Sequence, residues 1–397
     1  MEMVKVNPES CCGCSACAAV CSRGAIEMIP DNLGFLYPQL NEEKCIHCGA
    51  CEKVCPFNTE LGNDNQKKNL QKAYAVRHKD ESEVESSRSG AAFIAITDRV
   101  LDNGGVVYGA GFGNHFCVVH KRASSKKQRD EFKGSKYAQS DLRGILRLVL
   151  DDLRQGLYVV FSGTPCQTAA VRNFVSPKYR ERLLLIDIIC HGVASPNVWD
   201  NYLKTLEKKE DRKLVAVDYR DKRIFGWSGL HRESFTYAGG LHMTYSKTFY
   251  QPFLIRRSCN YCPYATCNRP SDLTLGDFWG WRDVVPEMNR DDKGLSLVLC
   301  HTEMGLHALE KARVESDVVP VSMASCMQPN LQRPTDADPM RDAFEVEYSC
   351  ERFDDIYNRY FREHGMPWLK WCVKSWISRL KQYIESYANR DNNISQG

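Results

Sequence analysis

The sequence predicts an α+β / α/β protein: a small cysteine-rich module, then a mixed-sheet body, then a helical C-terminal tail. Three observations predict it. Nine of the 19 cysteines fall between Cys11 and Cys55, strand-like and helix-like stretches alternate from Ala73 onward, and Trp368–Tyr387 carries a basic amphipathic stripe. A chain of 397 residues, 43% hydrophobic, is long enough for more than one domain and at least one sizeable core. That apolar fraction excludes a disordered chain, and no run approaches the ~18 apolar residues of a transmembrane helix. Lys+Arg 53 against Asp+Glu 50 leaves a net charge of +3, too balanced for a nucleic-acid partner. The stretch Met1-Glu2-Met3-Val4-Lys5 lacks the apolar core of a signal peptide, so a cytoplasmic location is expected.

An odd number of cysteines in a reducing compartment argues for metal binding rather than disulfides. Two runs carry that signal: Cys11-x2-Cys14-x2-Cys17-x3-Cys21, and Cys45-x2-Cys48-x2-Cys51-x3-Cys55-Pro56. Three thiolates spaced by two residues wrap one corner of a cubane cluster, and the fourth, three residues further on, reaches the other cluster. The expectation is crossed ligation: Cys11, Cys14, Cys17 and Cys55 on one cluster, Cys45, Cys48, Cys51 and Cys21 on the other. Zinc knuckles also use Cys-x2-Cys. Tetrahedral zinc, however, takes separated pairs and gains nothing from a third close cysteine repeated twice. Residues 1–60 therefore resemble a bacterial-type ferredoxin domain with two [4Fe-4S] clusters. Cys12 is surplus to the pattern and reads as a spare thiol beside a cluster.

Residues 61–72 are polar and read as a linker to a body spanning 73–350. Ala73–Arg77 reads as a strand, and the stretch after Ser86-Ser87-Arg88-Ser89-Gly90 as a helix that stops at Gly104-Gly105. Val106–Gly109 and Cys117–His120 read as strands, Asp141–Gln155 as a helix. Leu157–Phe161 and Leu183–Ile189 are apolar strands, the first breaking at Gly163-Thr164-Pro165-Cys166-Gln167 into a helix. Cys166 and Cys190 thus follow strand C-termini, where ligands gather in open α/β sheets, and a helix N-terminus favours thiolate at Cys166. With Cys259 and Cys262 in a later loop they supply four thiolates for a third cluster, against the alternative of buried, inert cysteines. Cys117, Cys300, Cys326, Cys350 and Cys372 read as structural, and residues 285–350 carry no interpretable motif.

Several motifs now fall in a recognisable order: Ser87-Arg88-Ser89-Gly90, Gly134-Ser135-Lys136-Tyr137, Gly163-Thr164-Pro165-Cys166-Gln167, Cys190-His191-Gly192-Val193, Cys259-x2-Cys262 and Gly276-Asp277-Phe278-Trp279. Together they resemble the beta subunit of coenzyme F420-reducing hydrogenases and its dehydrogenase relatives, a family that includes the plant 7-hydroxymethyl chlorophyll a reductase. Gly90-Ala91 stands where that family has Gly-Gly. The resemblance implies a bound FAD beside a [4Fe-4S] cluster held by Cys166, Cys190, Cys259 and Cys262, with Cys267 as an alternative fourth ligand. It also draws Ser87, Ser89, Gly90, Gly134, Ser135, Lys136, Tyr137, Thr164 and Gln167 into the cofactor site.

The residues themselves agree in part. A Ser/Gly turn opening a helix at Gly90 offers backbone N–H groups to a pyrophosphate. Gly134-Ser135-Lys136-Tyr137 offers a hydroxyl and a cation to phosphate or flavin oxygens, a solvated basic loop being the plainer reading. His191 is the candidate catalytic proton donor, with a hydrogen bond to a neighbouring carbonyl as the duller alternative. The charged run 218–223 reads either as a solvated hairpin tip or as a contact to an anionic ligand.

The expected function is an iron–sulfur flavoprotein oxidoreductase that relays single electrons through [4Fe-4S] clusters to FAD, for two-electron reduction or oxidation of a small organic substrate. An oxidoreductase of deazaflavin coenzyme F420 and a non-catalytic electron-transfer subunit of a larger redox complex are the alternatives. Expected partners are an external electron donor or acceptor such as ferredoxin, a small-molecule substrate, and a second copy of the chain. Within 351–397, Lys370, Lys374, Arg379 and Lys381 decorate the apolar stripe of Trp368–Tyr387. That helix is expected to pack on its own domain or on another protomer, with peripheral contact to an anionic membrane as the alternative.

Overall fold

A computed structural model of the chain describes residues 7–57, 71–229, 231–239, 243–246 and 251–362. Most of the linker and the whole amphipathic tail stripe lie outside the described residues. The N-terminal module is a hairpin, β1 (Ile26–Pro30) against antiparallel β2 (Leu36–Leu40), flanked by two short helices, Ala16–Val20 and Ala50–Lys53. Each helix directly follows one left-handed residue, Ser15 or Gly49, inside a cysteine run. The two runs therefore fold as two copies of one turn-and-helix unit.

The body opens with β3 (Lys72–His78), β4 (Val106–Phe112), β5 (Val118–Ala123), β6 (Val159–Gly163) and β7 (Leu183–Ile188). An excursion follows, β8 (Leu214–Asp218), β9 (Glu233–Tyr237) and β10 (Met243–Ser246), and these three form a small antiparallel sheet. The chain returns with β11 (Leu273–Asp277), β12 (Ser296–Cys300) and β13 (Ser316–Val321). Among the described residues, eight strands make the main sheet in the order β13-β3-β12-β11-β7-β6-β4-β5. Its centre, β4, β6, β7 and β11, is parallel, and both flanks are antiparallel. The sheet is mixed, as the alternating pattern predicts, and residues 285–350 complete it with β12 and β13.

The parallel strands are apolar along their length because both faces are covered. Helices Ala92–Asp102 and Glu303–Ala312 close one face over Val76, Val107, Leu184 and Val298. Helices Ile145–Arg154 and Pro165–Phe174 close the other over Val106, Phe161 and Leu185. That second cluster also takes in Cys12, Cys14, Ala16 and Val54 of the N-terminal module. A third cluster inserts Leu33 and Phe35, from the hairpin, among Trp199, Tyr202 and Phe235 of the body. Gly34, at φ +84°, makes the insertion feasible: a Cβ there would lie 2.6 Å from the Asn197 side chain. The module is welded to the body rather than tethered to it.

Two local expectations shift. The helix expected from Asp141 starts at Ile145, because Gly144 takes a left-handed N-cap and Asp141 bonds into the sheet edge beside Val119. The charged run 218–223 is not a solvated tip. Arg220 is 6% exposed and paired with Asp277 at 2.5 Å, Arg88 meets Asp218 at 2.8 Å, and Lys222 donates to the carbonyls of Val84 and Lys293. These charges lock the Ser87–Gly90 turn to the main sheet.

Candidate redox site

The first cysteine run faces inward. Cys14 is buried and Cys11 and Cys17 half-buried, whereas Cys48 of the second run is exposed beside Ile46. Burial first, then the neighbouring thiols of Cys14, Cys11 and Cys55, push the Cys17 thiol up. Cys55, from the second run, therefore lies close enough to Cys17 for the two sulfurs to repel. At Cys21, slight burial is outweighed by the backbone N–H groups of Ala25, Arg23, Gly24 and Ile26, which hold the thiol below its ordinary value. Donors aimed at sulfur in this way suit a thiolate that binds metal.

Three separate elements bring the second group together. Cys166 lies in the first turn of the helix Pro165–Phe174, just past β6. The Gln167 side chain caps that helix by accepting from the Thr164 N–H at 3.0 Å, and Thr164 Oγ1 stands 3.2 Å from Cys166 Sγ. Cys190 follows the end of β7, and Cys259 and Cys262 come from the turn around Arg257–Tyr261. All four line one chamber, together with Cys12 and Arg256. Burial and then mutual repulsion raise the thiols of Cys190, Cys259 (to about 11) and Cys262 (to about 12). Cys166 is instead lowered to about 7, first by a hydrogen bond from Cys12. Four half-buried thiols around one chamber, three of which resist ionisation, are a donor set matched to a metal centre, which would remove the penalty. Cys267 is not on that wall; its sulfur faces Met327 Sδ at 3.9 Å and the Leu331 carbonyl.

Next to the chamber lies a much larger cavity, 570 Å³. The two share Thr164 and the loop Cys190-His191-Gly192-Val193 as a common wall. The cavity runs over the C-terminal ends of β6, β7 and β11, and Ser87, Ser89, Gly134, Ser135, Lys136, Tyr137, Thr164, Gln167 and His191 all line it. Gly90 does not. It instead lets the turn press on the sheet, since a Cβ there would lie 2.3 Å from the Val76 carbonyl. Lys136 turns its ammonium onto the carbonyls of Glu131, Lys133 and Gly134, at 2.9, 2.7 and 3.2 Å, so it staples its own loop. Burial, against the pull of Asp218 and Glu131, brings that ammonium down to about 7. Burial likewise pushes His191 toward the neutral form, while its backbone carbonyl accepts from Thr335 Oγ1.

The remaining wall was not legible in the sequence. His120 stacks on Phe161 with ring centroids 5.2 Å apart and donates Nε2–H to the Ser162 carbonyl at 3.0 Å. Its Nδ1 is then an acceptor. Among the described residues, that atom and Ser87 Oγ are buried without a hydrogen-bond partner. Arg220, His231 and Trp279 also line the cavity and not the chamber, with Trp279 stacked on Trp227 at 4.8 Å. The Gly276-Asp277-Phe278-Trp279 motif and the charged run 218–223 were the available signals for Trp279 and Arg220; nothing marked His120.

Fold and cysteine groups define an iron–sulfur redox protein. Residues 10–59 match the 4Fe-4S dicluster domain, and residues 157–324 match the family described as the C terminus of the coenzyme F420 hydrogenase/dehydrogenase beta subunit. A chain of the F420-reducing [NiFe] hydrogenase complex from Methanosarcina barkeri, solved after xenon derivatization, is similar at 15% identity and a TM-score of 0.46. That match covers 72% of this chain and 89% of the other. No curated protein matches the chain. Among the described residues, no helix is long and apolar enough to cross a membrane.

Proposed function

We propose that the chain is an iron–sulfur flavoprotein oxidoreductase: single electrons pass along [4Fe-4S] clusters to an FAD that exchanges two electrons with a small organic substrate. The observation that carries this reading is the common wall, which puts a four-thiol chamber directly against a cavity large enough for an extended cofactor. Crossed ligation assigns Cys11, Cys14, Cys17 and Cys55 to an inner cluster and Cys45, Cys48, Cys51 and Cys21 to an outer one. Cys166, Cys190, Cys259 and Cys262 hold a third.

The residues present fit a flavin. Ser87 and His120 line the cavity, and Ser87 Oγ and His120 Nδ1 are buried polar atoms without a hydrogen-bond partner among the described residues. When bound, the flavin supplies the exchange between one- and two-electron chemistry that the clusters lack. Thr164 and Gln167 act indirectly, by fixing the helix turn that presents Cys166. Lys136 shapes the loop that walls the cavity. A neutral His191 orients what lies beside it by hydrogen bonding and is a poor proton donor near pH 7. Substrate meets the cofactor beside Arg220 and Trp279, and the outer cluster, at the exposed Cys48 face, exchanges electrons with an external carrier such as ferredoxin.

Anaerobic purification followed by iron, sulfide and flavin quantification tests the reading. About twelve irons and one FAD per chain are expected, the sum of three cubanes and a flavin. About eight irons without flavin would overturn it and leave a two-cluster electron-transfer protein. Reoxidation of the reduced protein by coenzyme F420 alone, and by no other small molecule, would narrow the substrate to the deazaflavin of the family's name.

A further inference from the structure

The junction between the two cysteine groups is built around one guanidinium. Arg256 is fully buried, and its backbone N–H donates to the Val193 carbonyl at 2.9 Å while its carbonyl accepts the Cys259 N–H at 2.9 Å. Its main chain thus links the common wall to a chamber ligand. The side chain crosses to the N-terminal module: Nε donates to the Cys11 carbonyl at 2.6 Å, Nη2 to the Leu36 carbonyl at 2.8 Å, and Nη2 also lies 3.6 Å from Cys11 Sγ. Nη1 donates to Gln139 Oε1 at 3.0 Å, and Gln139 in turn donates to the Cys12 carbonyl at 2.6 Å. The Tyr37 ring covers the group at 4.2 Å. Among the described residues, no carboxylate pairs with it. A buried cation without a paired carboxylate is costly unless nearby anions neutralise it; Asp31 feels its charge, and the other anions on offer include the thiolates of Cys11 and Cys259.

We infer that Arg256 is a positioning residue that raises the reduction potential of the inner ferredoxin cluster while seating that cluster against the four-thiol chamber. A cubane held by four thiolates is a net anion, and reduction makes it more so. A fixed positive charge and an N–H···S bond to one ligand favour the reduced form, and both are recognised levers on cluster potential. The placement separates the outer cluster from the other two, since Arg256 also lines the chamber and its charge acts on Cys166 and Cys259. Arg256 reaches Cys11 of the inner set, whereas no hydrogen bond or ion pair among the described residues joins it to Cys45, Cys48 or Cys51. Cys12 completes the junction: it is buried in the same core as Cys14 and lines the chamber with Cys166.

This inference rests on the cluster occupancy proposed above. Its test is a redox titration of the anaerobically loaded full-length chain, read by electron paramagnetic resonance, for wild type, Arg256→Gln and Arg256→Lys. In Arg256→Gln the reduction equilibrium constant of the inner cluster is expected to fall about tenfold, which is 59 mV for a one-electron couple, with a smaller fall at the chamber cluster, the outer cluster unmoved and iron content unchanged. Arg256→Lys keeps the charge but not the fork of donors, so a smaller shift in the same direction is expected. Unshifted potentials in loaded variants, or an equal shift of every cluster, would overturn the inference. Iron loss from both variants would also overturn it, making Arg256 a folding residue alone. A wild-type chain without any cluster signal would instead bring down the functional reading together with it.

Discussion

Ala91 sits at φ +62° and ψ +25°, a left-handed conformation, immediately before the helix Ala92–Asp102. A side chain at such a position costs roughly 1–2 kcal/mol, part of which glycine gives back in unfolded-state entropy. Ala91→Gly is therefore expected to stabilise the protein by about 1 kcal/mol, read as a higher midpoint in thermal unfolding. His120 makes the second prediction at this scale. Burial, opposed by its bond to the Ser162 carbonyl, lowers it from the usual 6.5 to about 4. Between those values the unfolded chain holds the extra proton, so stability is full above pH 6.5 and falls as pH drops toward 4. The loss approaches about 3 kcal/mol for this group. Denaturant titrations at about pH 7 and about pH 4.5 should show that loss in wild type and a smaller one in His120→Gln.

At the scale of elements, the sequence was readable where the physics is local. The period of the helix Ala92–Asp102, its stop at Gly104-Gly105, and the apolar runs of β6 and β7 each follow from short-range pattern. So does the chamber, because cysteines just past strand ends converge when those strands are parallel neighbours. What escaped was set by distant partners. The run 218–223 looks solvated until Asp277, 57 residues further along the chain, turns out to neutralise Arg220. His120 looks like any strand residue until β6 places Phe161 and Ser162 beside it. Cys12, surplus by spacing, is buried because the module docks where it does. Gly90 reads as a phosphate-facing glycine by motif and proves to be a packing glycine by position.

At the scale of the molecule, module and body share two cores. Phe35 is fully buried in one of them, and the Tyr264 hydroxyl donates to the Pro56 carbonyl across the same boundary. Phe35→Ala is expected to cost about 3–5 kcal/mol, as for a large side chain removed from a packed interior. Because the boundary is continuous core, the loss should appear in circular dichroism of the body as well as in cluster absorbance, with the two melting curves still superimposed. Curves that separate would mean that the module unfolds by itself. The common wall has a different consequence. One four-residue loop, Cys190-His191-Gly192-Val193, bounds both the chamber and the cavity, so a substitution there alters two compartments at once. Another part of the lining, Arg220, His231 and Trp279, bounds only one of them. A lineage changing what it accepts could therefore redraw that part and leave the wiring as inherited, so that variety of substrate and constancy of electron path would be written in separate residues.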